Sequence, residues 1–319
     1  MTTRSPSLSR PHAIAAAIGV AGAATALINH ILARSAESET PPVGHFIEVD
    51  GVRVHYIERG HGEPLVLLHG NGMMIQDFLS SDLVAEASKR YRVIVFDRPG
   101  FGYSERPRST IWTPDAQATL LHAALARLGV PRYLVLGHSW GASVAIALGL
   151  KYPDAVRGLV LEGGYYYPSV RGDVVLASGP AVPVLGDILR YTVSPVAARL
   201  MWPMLLGKLF GPAPVAPTFS GFPAAMAWRP SQLRASAAEA ALMVPDAMAA
   251  HEHYDELAMP VALVAGTGDR IVDIDDQPRR FARENPRSRL HVVEGCGHMI
   301  HHTAPERVLS AIDEVAQAA

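Results

Sequence analysis

The stretch Tyr133-Leu134-Val135-Leu136-Gly137-His138-Ser139-Trp140-Gly141 decides the fold. Its apolar opening reads as a short strand buried on both faces. The small-residue run over 142–150 that follows has the character of a helix. Between them lies a G-x-S-x-G turn, in which larger flanking residues would collide and the serine hydroxyl is lifted above the sheet. The pentapeptide alone is common by chance. Strand before and helix after give it meaning, and they make Ser139 the candidate nucleophile.

Working outward, apolar runs recur at 64–68, 92–96 and 158–161, separated by segments of helical length such as 114–128. Runs of this kind imply a parallel sheet with crossover helices. Upstream, 46–50 and 52–58 alternate in polarity and meet at Asp50-Gly51, a hairpin signal, so the opening strands are expected to be antiparallel. After Gly164 the rhythm stops, and residues 165–257 are rich in Leu, Ala, Met and Pro without β-type alternation. This segment is expected to be an inserted helical cap. Strand-like runs resume at 261–265 and 290–293. The predicted fold class is α/β, with a core over 45–164 and 258–319 and the cap over 165–257.

A serine hydroxyl is a weak nucleophile until a base takes its proton. Gly295-Cys296-Gly297-His298 follows the 290–293 strand, and its glycines permit a tight turn that presents His298 at the sheet's edge. His301 and His302 compete locally but lie outside the glycine turn. The third member should be a carboxylate after the intervening strand, where it accepts the histidine's other N–H. Gly266-Thr267-Gly268-Asp269 supplies it, with Asp273 as competitor and Asp275 and Asp276 read as helix N-terminal residues. An early strand ends in His69-Gly70-Asn71-Gly72, whose Asn71 amide is expected to meet that of Trp140 around a developing oxyanion. His69 is read as a loop brace.

With Ser139, Asp269 and His298 in that order, the chain from Phe46 onward resembles the α/β-hydrolase superfamily, especially its capped members. Asp97-Arg98-Pro99-Gly100-Phe101-Gly102-Tyr103-Ser104 also resembles the family's D-x-x-G-x-G-x-S loop, taken here to shape the site. The resemblance implies a mostly parallel eight-stranded sheet with helices on both faces. It also implies acyl transfer without metal or organic cofactor. Haloalkane dehalogenases and epoxide hydrolases are similar but carry an aspartate where Ser139 stands. Carboxylic-ester hydrolysis is the first expectation. Carbon–carbon hydrolysis and aminopeptidase action are the alternatives on the same triad, and a non-catalytic ligand-binding protein is the alternative of another class. Tyr165-Tyr166-Tyr167, Trp202 and Trp228 are read first as cap–core packing and second as pocket lining.

A formal net charge of −2 offers no field of one sign for nucleic acid, so a small-molecule substrate is expected. The single cysteine, Cys296, excludes an intrachain disulfide and a thiolate metal cluster. Oligomeric state is not legible. Residues 13–28 are apolar except for Thr25, with Arg4 and Arg10 before them, and residues 1–34 read as a membrane-targeting helix. A cleaved signal peptide and a cytoplasmic helix are the alternatives, although Leu32 to Ala36 makes a poor cleavage site. Residues 35–44, with Pro41-Pro42, read as a linker. On that reading the catalytic domain is exported, and deletion of residues 1–40 leaves activity on soluble esters intact.

Overall fold

The computed structural model describes residues 10–319; Arg4 lies outside the described residues. Eight strands form one sheet in the order β1-β2-β4-β3-β5-β6-β7-β8. They are β1 (His45–Val49), β2 (Val52–Arg59), β3 (Glu63–Leu68), β4 (Tyr91–Phe96), β5 (Tyr133–His138), β6 (Val156–Glu162), β7 (Val261–Gly266) and β8 (Ser288–Val293). β1–β2 and β2–β4 pair antiparallel, and the remaining pairs are parallel. Asp50 and Gly51 carry φ values of 51° and 75°, the two positive values that a two-residue I′ hairpin requires.

Burial on both faces explains the continuous apolar runs. Along β3, Leu65 and Leu67 enter one core with Val93, Leu134, Leu136 and Ile312, while Val66 and Leu68 enter the other with Phe96, Leu121 and Val135. Side chains alternate across a strand, so a strand covered on both sides has no polar position to offer. Each fully buried aliphatic side chain here contributes roughly 1.5–3 kcal/mol.

The helices used below are α1 (Arg10–Glu39), α2 (Ile75–Ser80), α3 (Pro114–Arg127), α4 (Trp140–Lys151), α5 (Leu185–Tyr191), α6 (Val193–Phe210), α7 (Pro230–Ala250) and α8 (Pro305–Ala318). Helices α3, α4 and α8 cover the sheet, and the whole segment between β6 and β7 is helix or loop.

One expected boundary moves. Helix α1 runs to Glu39, so five residues of the polar 35–44 segment are helical and only the last five link it to β1. Local and tertiary bonds hold that turn: Ser35 Oγ donates to Glu39 at 2.6 Å, and Arg229 pairs with Glu37 at 3.0 Å. The Tyr103 hydroxyl donates to the carbonyls of Glu37 and Thr40, and Ala36 is buried. At about 1.5 Å per residue, α1 is about 45 Å long. Among the described residues it alone is long and apolar enough to cross a membrane. Ile14, Ile18, Ile28 and Ile31 on it are exposed.

Candidate active site

Ser139 sits between β5 and α4 with φ 54° and ψ −119°, a left-handed backbone that costs a non-glycine residue about 1–3 kcal/mol. Close packing enforces it. A Cβ on Gly137 would stand 2.3 Å from the Gly141 carbonyl oxygen, and one on Gly141 would stand 2.1 Å from that of Leu68. The Trp140 amide opens α4, where first-turn N–H groups have no intrahelical acceptor and the dipole is positive.

His298 follows β8 and leans on the cap. Its amide donates to the Leu209 carbonyl at 2.8 Å, and a Cβ on Gly297 would lie 2.5 Å from the Gly211 carbonyl oxygen. The imidazole Nδ1 meets Asp269 Oδ2 at 2.7 Å, and both side chains are nearly buried. Asp269 Oδ1 accepts the amides of Ile271 and Val272. Burial alone would raise the Asp269 pKa, but the facing His298 and these amide bonds outweigh it and hold it below the ordinary value. Asp273 Oδ1 instead accepts the amides of Asp275 and Asp276 in an exposed turn.

The loop after β3 is held from below. His69 is fully buried, and burial together with the Arg98 charge lowers its pKa to about 3. Its Nε2 accepts the Arg98 amide at 3.0 Å, which places the proton on Nδ1, 2.8 Å from the Gly70 carbonyl. His69 is therefore a neutral brace. In the following loop Asp97 accepts the amides of Ile75 and Tyr103 and bonds His55, which fixes the turn containing Gly100 and Gly102.

Ser139 and His298 open into one cavity of about 320 Å³. Gly70, Asn71 and Gly72 form one rim, and Trp202, Leu205 and Met243 are among the apolar residues of the cap side. Arg171 also lines it, with its guanidinium donating to the Ile271 carbonyl and lying 5.7 Å from the centre of the Tyr165 ring. Trp202 thus faces the cavity. Tyr166 and Tyr167 are core residues whose amides both donate to Gln277.

Sequence reasoning missed a cluster behind the elbow. His301 is fully buried, with Nδ1 2.8 Å from Glu162 Oε1 and Nε2 3.3 Å from Asp77 Oδ1. Burial opposes its charge, yet Glu162 and Asp77 raise its pKa to about 10. Asp77, His138 and His301 also bring ligand atoms within 4.8 Å of one another. Because the folded pKa lies above the ordinary 6.5, the stabilisation from this charge is complete below about pH 6.5 and is lost as pH approaches about 10. Urea unfolding across that range should show stability falling in the wild type. His301→Gln should remove the slope and, by leaving buried carboxylates uncompensated, cost about 3–5 kcal/mol near neutrality.

The comparisons with known proteins agree with this architecture. The family model described as alpha/beta hydrolase fold matches residues 63–305. The chain belongs to that family. It is 30% identical over 285 residues to 2-hydroxymuconate semialdehyde hydrolase of Pseudomonas sp. strain CF600, covering 85% of this chain and 93% of the relative. To haloalkane dehalogenase 2 of Mycobacterium tuberculosis it is 28% identical over 277 residues, covering 82% of this chain and 91% of that protein. A solved structure of a membrane phospholipase A superposes with a TM-score of 0.67 at 22% identity, covering 96% of each chain. The α/β-hydrolase fold and hydrolase activity follow from this membership.

Proposed function

We propose that this hydrolase cleaves carboxylic esters of apolar acids by acyl transfer, with Ser139 as nucleophile, His298 as general base and Asp269 as the acid that orients it. The observation carrying this reading is the cavity shared by Ser139 and His298, whose cap-side lining is mostly apolar, with Trp202, Leu205, Leu209 and Met243. Ser139 attacks the ester carbonyl, and His298 takes its proton and returns it to the departing alcohol. The amides of Asn71 and Trp140 hold the oxyanion. Water then repeats the cycle on the acyl-serine. Dehalogenation fits poorly, because serine attack on an alkyl halide would leave an ether that water does not cleave. Carbon–carbon hydrolysis is the second reading, favoured by the 30%-identical relative.

The apolar exterior continues the same theme. Ile188, Val193, Val196 and Leu200 on α5 and α6 are exposed beside the exposed residues of α1. Helix α6 also sends Trp202, Leu205 and Leu209 into the cavity. We read α1 as a membrane anchor that brings the cap to the lipid surface.

Three measurements test this. A fluorophosphonate should label Ser139. In a series of soluble 4-nitrophenyl esters, kcat/KM should rise about fourfold per added methylene until the cavity fills; a flat series, or turnover confined to anionic carbon–carbon substrates, would overturn the ester reading. Truncation should now spare Asn29, which bonds the carbonyls of Tyr191 and Thr192, as well as the packed turn around Glu37. Removing residues 1–28 should move the protein from membrane pellet to supernatant with ester kcat/KM unchanged. A full-length, uncleaved chain already in the supernatant would refute the anchor.

A further inference from the structure

The Gly70 carbonyl is held by three donors. They are His69 Nδ1 at 2.8 Å, Arg98 Nη2 at 3.1 Å and the Met73 amide at 3.3 Å. Arg98 Nε also donates to the His69 carbonyl at 2.8 Å, and the whole Arg98 side chain is buried. A trans peptide is planar, so its C=O and the following N–H point in opposite directions. Fixing the Gly70 carbonyl toward Arg98 therefore fixes the Asn71 N–H away from it. A Cβ placed on Gly70 would lie 3.1 Å from Ser139 Cβ, so this peptide borders the nucleophile.

What holds Arg98 comes from the cap. Glu239, fully buried on α7, pairs with Arg98 through both carboxylate oxygens, with Nη2–Oε2 at 3.0 Å. Gln117 Nε2 donates to the same carboxylate at 3.0 Å, so the pair is closed by a further hydrogen bond. Glu239 does not stand alone. One turn earlier the Ser236 carbonyl accepts Asn71 Nδ2 at 3.1 Å, and one turn before that Gln232 Nε2 donates to the Gly72 carbonyl at 3.1 Å. Positions 232, 236 and 239 are spaced i, i+4 and i+7, one stripe of one helix. A single face of α7 thus grips the loop 70–72 directly at two residues and, through Arg98, at the peptide between Gly70 and Asn71.

We propose that Glu239 is a positioning residue that couples seating of the cap to the oxyanion donor, by holding Arg98 on the His69 and Gly70 carbonyls and so aiming the Asn71 amide. The cap then does more than enclose substrate. When α7 is seated, the donor is set before substrate arrives; when it lifts, the Gly70 peptide loses its charged anchor. This inference rests on the acyl-transfer reading above.

The test compares E239Q, Q232A and the apolar pair R98M/E239M with the wild type, using a short soluble ester and a boronic-acid inhibitor that forms a tetrahedral adduct at Ser139. E239Q should lower kcat about 10- to 100-fold, the scale of a mis-set reacting group, with KM within about twofold. Inhibitor affinity should fall by the same factor as kcat, since both depend on the oxyanion donor. Q232A should give a smaller loss of the same kind. E239Q buries an unpaired guanidinium and loses stability for that reason alone. The apolar pair removes the two hydrogen-bonded charges and leaves Arg106, 4.0 Å from Glu239 in the wild type, so it should regain part of the lost melting temperature while kcat stays low. Recovery of kcat together with stability would show a merely structural role and overturn the proposal, as would a loss confined to KM or unchanged inhibitor affinity. Fluorophosphonate labelling of wild-type Ser139 separates the two levels. Its absence overturns acyl transfer and this inference together, whereas labelling followed by any of the adverse outcomes overturns only the coupling.

Discussion

Replacing Ser139 by alanine should abolish ester turnover while leaving the fold intact. In an acyl-transfer enzyme the nucleophile is the one group for which no neighbour substitutes, and its removal costs about a million-fold in kcat. The stability cost should be small for a reason visible in the backbone. At φ 54° the strain belongs to any residue with a Cβ, so alanine neither relieves nor deepens it. The half-buried hydroxyl faces the cavity and is not packed in a core. A melting temperature close to the wild type, retained binding of an apolar product acid and loss of fluorophosphonate labelling are the expected set. Turnover surviving at a tenth of the wild-type rate would remove Ser139 from the mechanism. Glycine at the same position should also be inactive but slightly more stable, because it accepts the left-handed backbone without strain.

The sheet was legible because its strands are buried on both faces, and the elbow because packing admits nothing larger than glycine at 137 and 141. The Asp50-Gly51 hairpin was legible for the same local reason, two adjacent positive φ values. What escaped reading depends on contacts distant in the chain. The polar turn at 35–39 looks like linker until Arg229 and Tyr103 fold onto it. His301 looked like a rival base, and only Asp77 and Glu162, from α2 and β6, reveal it as a buried cation. Arg98 and Glu239 are 141 positions apart, and no periodicity joins a core loop to a cap helix. Local conformation leaves its mark in sequence through glycine and spacing; pairing of buried charges leaves none.

Asp269→Asn should lower kcat by about four orders of magnitude, whereas Asp273→Asn should change it less than about threefold. The difference follows from what each carboxylate accepts. Asp269 is nearly buried and takes the His298 Nδ1–H at 2.7 Å, with its other oxygen occupied by the amides of Ile271 and Val272. Those two amides fix the carboxylate rotamer, so an asparagine there keeps its Oδ1 on the amides and turns its NH₂ toward the imidazole. Two donors then face each other, and the histidine must present a lone pair at Nδ1 and its proton at Nε2. In that tautomer it cannot accept the serine proton. Asp273 bonds only amides of its own exposed turn, which an asparagine carbonyl serves equally well. A mild rate effect in Asp269→Asn, with Asp273→Asn the more damaging change, would transfer the orienting role away from Asp269.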